Sequence, residues 1–266
     1  MWNGKSTAEK YDKYAAEYPM YKETNKFLVE LAKINKGMTV LDLACGTGLT
    51  TPEILKKLGN SGKVISIDSS KYMLDIAKGK IKQENVSFVL SPAENVNELV
   101  KGKIGLVLCN SAFWQTDMPK TLQAIHSILK QEGKFVFNFP DQFFQSKDNP
   151  KSKYLRKVMA EVANEYGHES YLDAVIPKTF KLWTYESIKK LLESNSFKLT
   201  DYKEFILKRT AEDIKEHLGT LGVMAIVFPN LTDEERAKIL DKTINRLDES
   251  NLPDTTWACF VAEKII

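Results

Sequence analysis

Residues 40–51 read Val-Leu-Asp-Leu-Ala-Cys-Gly-Thr-Gly-Leu-Thr-Thr, and this stretch decides the fold. Residues 40–44 form a short apolar run typical of a buried strand, and Gly46 and Gly48 interrupt it. Apolar residues then recur at helical spacing. A strand that passes through glycines into a helix presents main-chain N–H groups and the positive end of a helix dipole to a ligand. The stretch therefore predicts a site for a nucleotide-like ligand.

The rest of the first half alternates strand and helix patterns. Residues 118–130 have apolar residues at helical spacing, and a turn is predicted at 131–134. Four more strands are predicted at 63–68, 86–90, 104–109 and 135–139. The run 104–109 is almost continuously apolar, as in a parallel strand covered on both faces. This alternation predicts parallel βαβ units in an α/β fold.

The N-terminal and C-terminal regions follow different patterns. Residues 1–36 are predicted to be a helical cap. Beyond residue 140 we expect a helix at 184–194 capped by Thr184, two helices within 210–250, and strands at 197–207 and 256–263. The second of the two helices within 210–250 is predicted to start with a capping box formed by Thr232 and Glu235. With no linker or internal repeat visible, we expect residues 1–266 to form a single domain.

Composition excludes several classes of protein. The 266 residues carry a net charge of +3, which implies no strong field for a polyanion such as nucleic acid. Cys45, Cys109 and Cys259 have neither disulfide-framework nor zinc-site spacing, so no metal is expected. Signal-peptide and membrane-spanning runs are missing from the sequence, and we expect a cytoplasmic protein without a membrane partner.

Details of the loop decide between nucleotide ligands. A dinucleotide fingerprint needs a third glycine where Thr51 stands, which argues against NAD. Asp42, Ala44, Gly46 and Gly48 instead resemble the first motif of the class I S-adenosylmethionine (SAM)-dependent methyltransferases, acidic-x-Gly-x-Gly-x-Gly, with alanine for the first glycine. The resemblance covers residues 5–140 well and implies a Rossmann-like seven-stranded, mostly parallel sheet with helices on both faces. It also implies a final antiparallel strand and helical lid insertions at 141–182 and 210–255.

Several residues are expected to bind SAM. Asp68 ends the second strand about 20 residues after Gly48, which is the spacing expected of a carboxylate that holds ribose hydroxyls. Ser91 stands where the family usually has an acidic residue that reads the adenine amine, so Ala93 or Glu94 is expected to replace that contact. The complete predicted cofactor set is Tyr18, Asp42, Ala44, Gly46, Gly48, Asp68, Ser69, Met73, Ala93, Glu94 and Asn110.

The acceptor is expected to be a small, partly apolar molecule methylated on oxygen or nitrogen. Phe113, Trp114 and Tyr171 are the predicted acceptor contacts, and His168 beside Glu169 is the predicted general base, with His217 as a second candidate. The predicted lid is rich in aromatic residues, which suits such an acceptor. These are Phe143, Phe144, Tyr154, Tyr166, Tyr171, Phe180, Trp183 and Phe228.

Three alternatives stay open at this point. The first is methylation of carbon in a quinone or polyketide-like acceptor, and the second is modification of RNA or protein. Lysines at 147–157 are the one candidate basic surface for that second reading, and nucleic acid is not the expected partner. The third is a SAM-binding protein that does not transfer the methyl group. A monomer and a homodimer are equally compatible with the sequence.

Overall fold

A computed structural model describes residues 4–141, 144, 150–168, 183–220 and 223–266. These residues divide into two units. The first unit is Met1–Phe144, Trp183–Phe205 and Trp257–Ile266, and the second is Gln145–Leu182 and Ile206–Thr256. The second unit nearly coincides with the two predicted insertions at 141–182 and 210–255. That the whole chain forms a single domain stays a prediction, and so does the lid role of these insertions.

A seven-stranded sheet organises the first unit. The strands are β1 (Thr39–Leu43), β2 (Lys63–Asp68), β3 (Val86–Leu90), β4 (Ile104–Cys109), β5 (Leu129–Pro140), β6 (Phe197–Leu207) and β7 (Thr255–Lys264). Their spatial order is β3-β2-β1-β4-β5-β7-β6. The pairs among the first five strands are parallel, and β7 is antiparallel to β5. The predicted Rossmann-like, mostly parallel sheet with a final antiparallel strand is confirmed.

The helices that connect these strands lie on both faces of the sheet. In the first unit they are α1 (Lys5–Glu17), α2 (Pro19–Leu31), α3 (Thr51–Leu58), α4 (Lys71–Lys80), α5 (Val96–Leu99), α6 (Met118–Ile128) and α8 (Tyr185–Glu193). Thr184 caps α8 in a capping box with Ser187, at the helix start predicted from the sequence. The side-chain cap fixes where this helix begins.

The N-terminal region, predicted to be a helical cap over 1–36, contains two helices in its described part, α1 and α2. Tyr18 separates α1 from α2 in an extended conformation, and Pro19 is the first residue of α2. A proline disfavours helical geometry at the residue before it and is well suited to the first helical position. Pro19 is therefore the signal that places the break.

Strand β5 begins six residues earlier than predicted. Residues 131–134 were expected to form a turn, yet they continue the strand through a register shift against β4 between Ile104 and Leu106. Glu132 has a φ of +58°, and a Cβ on Gly133 would lie 2.8 Å from the Lys130 carbonyl oxygen. The glycine and the positive φ thus accommodate a bulge.

The core of the first unit is rich in phenylalanine. Phe113 packs edge-on against Phe135 and Phe137, with ring centroids 5.0 and 4.9 Å apart. Phe144, predicted to belong to the lid, is buried in this same core against Phe260 at 5.5 Å. Trp183 is likewise packed against this core rather than belonging to the second unit.

The second unit is helical. Its helices in the described residues are α7 (Pro150–Glu165), α9 (Ala211–Thr220), α10 (Val223–Val227) and α11 (Asp233–Arg246). The last three of these lie between 210 and 250, where the sequence predicts two helices. Thr232 starts α11 with the predicted capping box to Glu235. Glu165 accepts hydrogen bonds from Arg246, and its bonds to Arg246 and Lys242 lower its pKa to about 2.

Gly48→Ala tests the packing of the glycine loop. We expect the substitution to lower the free energy of unfolding by about 2–4 kcal/mol, because a side chain there combines left-handed backbone strain with overpacking. Gly48 has a φ of +80°, and an added Cβ would lie 2.7 Å from Ile81 Cδ1 and 3.1 Å from Ala77 Cβ. Urea unfolding measures the change.

Gly79→Ala is the matched control for that variant. Gly79 lies in α4, and an added Cβ would meet no atom within 4 Å. We expect stability to be unchanged or raised by up to about 1 kcal/mol, since alanine favours the helix. Equal effects of the two substitutions would contradict the packing argument.

Candidate functional site

A cleft lies where the carboxyl ends of β1, β2 and β4 meet, as expected for a ligand site in an open α/β sheet. The space within it, counted together with the open solvent at its mouth, is about 940 Å³. All of its lining residues belong to the first unit. They are Tyr11, Tyr21, Ala44, Gly46, Ile67, Asp68, Ser69, Met73, Ser91, Pro92, Ala93, Glu94, Asn110, Ser111, Ala112, Gln115 and Thr116.

The loop after β1 forms one wall. Ala44, Gly46 and Gly48 have φ values of +55°, +56° and +80°, and the Gly48 N–H donates to the Cys45 carbonyl at 2.9 Å. Ala44 and Gly46 line the cleft, and a Cβ on Gly46 would lie 3.8 Å from the Tyr11 ring. Gly48 does not line it: this glycine faces α4, so its predicted cofactor contact is replaced by a packing role.

Asp68 holds that loop against the end of β2. Its Oδ2 accepts the N–H of Gly46 at 2.8 Å, and its Oδ1 accepts the N–H of Ser70 at 2.8 Å. Burial raises the pKa of Asp68, and the main-chain donors oppose that shift. Each carboxylate oxygen can accept more than one hydrogen bond, and Asp68 lines the cleft together with Ser69. Asp68 can therefore accept hydrogen bonds from a ligand as well.

Asp42 lies beneath the loop, outside the cleft lining. It is 1% exposed, and Thr51 Oγ1 donates to its Oδ2 at 2.6 Å. Thr51 Oγ1 also lies 3.0 Å from Ser66 Oγ. The threonine in place of a third glycine is thus the hydrogen-bond partner of a buried carboxyl. Burial raises the pKa of Asp42 to about 7, and the structure gives it a loop-supporting place instead of the predicted cofactor contact.

Aromatic rings from the N-terminal helices line the cleft. Tyr11 and Tyr21 contribute, with ring centroids 5.1 Å apart, and burial raises the pKa of Tyr11 well above its ordinary value. Tyr18, the predicted contact, instead stacks on Tyr14 at 5.1 Å outside the lining. The break before Pro19 changes the direction of the chain, so residues on either side of Tyr18 reach the cleft.

The predicted residues after β3 reach the cleft as well. Met73 is 3% exposed and lines it, as do Ser91, Ala93 and Glu94. Glu94 Oε1 accepts the Asp117 N–H at 2.7 Å. This bond fixes the position of the Glu94 carboxylate. Ser91 stands at the position where the resembled family usually has an acidic residue.

The segment after β4 separates into polar and apolar parts. Asn110 and Ser111 line the cleft, whereas Phe113 is fully buried in the core and cannot contact an acceptor. The predicted acceptor contact by Phe113 is therefore wrong. Trp114 is also outside the lining, and its Nε1 donates to the Ser111 carbonyl at 3.1 Å. Gln115 and Thr116 line the cleft instead, and no periodicity in the sequence identified them.

The predicted bases belong to the second unit. His168 follows α7, and its main-chain N–H donates to the Ala163 carbonyl at 3.1 Å. Burial and the Arg209 charge lower the pKa of His217 to about 3, which makes it a weak base. Tyr171 lies outside the described residues. Within the described ranges, no cluster of three potential metal ligands occurs, and no helix is both long and apolar enough to span a membrane.

The strands and helices define a Rossmann-like α/β protein with a cleft at the carboxyl ends of its strands, and comparison with known proteins gives the family. A family model described as a methyltransferase domain matches residues 34–198. The chain therefore belongs to the methyltransferase-domain family. It is a SAM-dependent methyltransferase, and SAM is its cofactor. The resemblance drawn from residues 42–48 is confirmed.

Two relatives and one solved structure are similar to this chain. The malonyl-[acyl-carrier protein] O-methyltransferase 2 of Coxiella burnetii is 25% identical over 267 residues, which cover 96% of this chain and 93% of that protein. The demethylmenaquinone methyltransferase of Lactococcus lactis is 33% identical over 142 residues, or 49% and 56% of the two chains. The structure of Streptomyces coelicolor geranyl diphosphate C-methyltransferase with S-adenosyl-L-homocysteine (SAH) has a TM-score of 0.54 at 12% identity, covering 96% and 83%.

The buried Asp42 carboxyl predicts a pH-dependent stability difference. The pKa of the Asp42 carboxyl is near 3.8 in the unfolded state and about 7 in the folded state. Between these two pH values the folded protein therefore keeps the carboxyl proton that the unfolded protein loses. The cost of ionising Asp42 is absent below the unfolded pKa, grows as the pH rises, and is complete above the folded pKa. We expect Asp42→Asn to gain stability relative to wild type by on the order of 1 kcal/mol per pH unit across that interval.

Urea unfolding of both proteins at pH 5, 6, 7 and 8 measures this difference. The amide introduced by Asp42→Asn retains an acceptor for Thr51 Oγ1, so the hydrogen bond survives the substitution. Groups that do not interact with Asp42 titrate equally in the two proteins and cancel. A stability difference that stays constant with pH would contradict the assignment.

Proposed function

We propose that the cleft holds SAM across the loop after β1, and that the enzyme transfers its methyl group to oxygen or nitrogen of a small, partly apolar acceptor. The observation that carries the proposal is the Asp68 carboxylate, bonded to the Gly46 N–H at 2.8 Å and still lining the cleft. This arrangement brings a hydrogen-bond acceptor next to Gly46, a loop position without a Cβ. The carboxylate suits the ribose hydroxyls, because it accepts hydrogen bonds, and the glycine lets the group attached to the ribose approach the main chain closely.

The residues present fit a nucleoside. Asp68 has acceptor capacity left for two ribose hydroxyls, and Ser69 lies beside it. Met73 and Ala93 offer apolar surface for an adenine, and Glu94 is the proposed acceptor for its amine. In this proposal the adenine amine donates to Glu94 rather than to a residue at position 91, where this chain has a serine.

The other end of the cleft suits the amino-acid part of SAM. Ala44, Gly46 and Asn110 line it, and the left-handed loop conformation leaves main-chain groups accessible beside small side chains. Tyr11 and Tyr21 stand on the N-terminal side and are the proposed cover that excludes water. Burial keeps the Tyr11 hydroxyl protonated by raising its pKa, so this ring is a neutral wall.

When bound, SAM supplies an electrophilic methyl group on a sulfonium. The protein then has to align the acceptor atom, and such positioning is worth about 7–11 kcal/mol of the barrier. Ser111, Gln115 and Thr116 supply neutral hydrogen-bonding groups along the cleft after β4. They are the proposed contacts for a polar acceptor atom, and they replace Phe113 in that role.

A proton must leave an acceptor such as a phenol, whose pKa is about 10. His168 remains the proposed base, and Tyr171 and Trp114 remain proposed acceptor contacts. An acceptor that is already ionised, such as a carboxylate, needs no base. The O-methyltransferase relative of Coxiella burnetii, which aligns along almost the whole chain, supports an oxygen acceptor.

Carbon methylation is the second candidate. The supporting observation is the 33% identity to the demethylmenaquinone methyltransferase of Lactococcus lactis over 142 residues. A quinol ring would occupy the same cleft and react at carbon. Binding of SAM without methyl transfer is a third reading, and the same labelling experiment separates it from the other two.

Asp68→Asn tests the ribose contact. We expect SAH to bind about 5- to 150-fold more weakly, which corresponds to the cost of about 1–3 kcal/mol for a lost or mismatched buried hydrogen bond. Isothermal titration calorimetry measures the affinity. Asp75→Asn is the control, because Asp75 is an exposed carboxylate on α4 that pairs with Lys71. Unchanged SAH affinity in a folded Asp68→Asn protein would refute the ribose assignment.

A labelled donor identifies the atom methylated. We expect SAM with a deuterated methyl group to place the label on oxygen or nitrogen of an acceptor from a panel of malonyl thioesters, phenols and amines. Quinols are included as carbon acceptors, and mass spectrometry with NMR locates the label. Label on carbon would support the second candidate. SAH binding without label transfer to any acceptor would support the third.

A further inference from the structure

We propose that Asn138 is a positioning residue, which fixes the orientation of the Asn110 side chain in the cleft. Asn110 lines the cleft, whereas Asn138 lies on β5, is fully buried, and is absent from the lining. The inference rests on the proposed function, in which Asn110 belongs to the SAM site. It adds a residue that acts on the site without touching a ligand.

A chain of side-chain amides connects the two residues. Asn138 Oδ1 accepts the Ser111 main-chain N–H at 2.6 Å, and Asn138 Nδ2 donates to Asn110 Oδ1 at 2.7 Å. Asn110 Nδ2 donates in turn to Asn25 Oδ1. Thr50 Oγ1 donates to that same Asn25 oxygen at 2.8 Å. The chain thus joins α2, the loop before α3, and the ends of β4 and β5.

The Ser111 N–H sets the direction of every bond in this chain. A main-chain N–H can only donate, so Asn138 must present its oxygen to Ser111 and its nitrogen to Asn110. Asn110 must then present its oxygen to Asn138 and its nitrogen to Asn25. Both faces of the Asn110 amide are therefore specified by buried neighbours before any ligand arrives.

The backbone beside Asn110 needs the same support. Ser111 has a φ of +54°, a left-handed conformation that is costly for a residue with a side chain. Asn138 holds its N–H, and Trp257 Nε1 donates to Ser111 Oγ at 3.0 Å. Ser111 also lines the cleft, so the strained residue and the oriented amide are neighbours in the site.

The direction of the chain makes two similar substitutions unequal. Asn138→Asp keeps an oxygen that accepts the Ser111 N–H. It replaces the Nδ2 donor with a second oxygen that faces Asn110 Oδ1, so Asn110 must lose its hydrogen bond to residue 138 or reverse its amide. Asn25→Asp keeps both bonds that Asn25 Oδ1 accepts, because a carboxylate accepts and does not donate. Asn25 is 2% exposed, comparable to Asn138, so each substitution buries a carboxylate to a similar degree.

SAH affinity, measured by isothermal titration calorimetry, distinguishes the two. We expect Asn138→Asp to weaken SAH binding by about 5-fold or more, on the scale of one buried hydrogen bond. Asn25→Asp is expected to have a clearly smaller effect. Asn85→Asp is the remote control: Asn85 Nδ2 donates to the Gly62 carbonyl at 2.9 Å before β3, and its loss should leave SAH affinity within about 2-fold. Thermal unfolding of each variant reports structural damage separately.

A neutral variant keeps the test decisive if the buried carboxylate prevents folding. Asn138→Ala is combined with Asn110→Ala in a double-mutant cycle. If Asn138 acts on SAH binding through Asn110, the loss of affinity in the double variant is clearly smaller than the sum of the two single losses. Additive losses, or unchanged affinity in both Asn138 variants, would overturn the inference. A wild-type protein that fails to bind SAH would instead contradict the proposed function, and the inference about Asn138 would fall with it.

Discussion

The Asp68 carboxylate, shared between the N–H groups of Gly46 and Ser70, is the interaction on which the site depends. It ties the loop after β1 to the start of α4, so two neighbouring strands end at a common point. The Cys45 N–H donates to the Ile67 carbonyl at 2.9 Å and reinforces the same junction. Burial penalises the charge and raises its pKa, and the two main-chain donors offset part of that penalty. A carboxylate held in this way is already oriented for a ligand.

The glycine loop divides its tasks between two faces. Gly46 leaves room on the cleft side, and Gly48 allows α4 to approach on the other. Beneath them, Thr51 satisfies the buried Asp42 carboxyl, which explains why a threonine occupies the position of the third glycine in a dinucleotide fingerprint. The motif therefore has a packing role in addition to its proposed role in binding.

The end of β4 shows how a short segment serves both core and cleft. Phe113 turns inward to the aromatic core, while Asn110 and Ser111 stay at the cleft. The positive φ of Ser111 makes this separation possible, and buried amides on β5 and α2 stabilise it. Polar groups that line the cleft are therefore hydrogen-bonded to buried residues outside its lining.

The sequence by itself determined the order of strands and helices, the helix starts at Thr184 and Thr232, and Asp68 at the end of β2. These follow from local periodicity, capping chemistry and motif spacing. The tertiary structure alone decided that Tyr11 and Tyr21, rather than Tyr18, reach the cleft, that Phe113 is buried, and that Asn138 contacts Asn110. Each depends on side-chain direction or on contacts between residues far apart in the chain, which one-dimensional spacing does not encode.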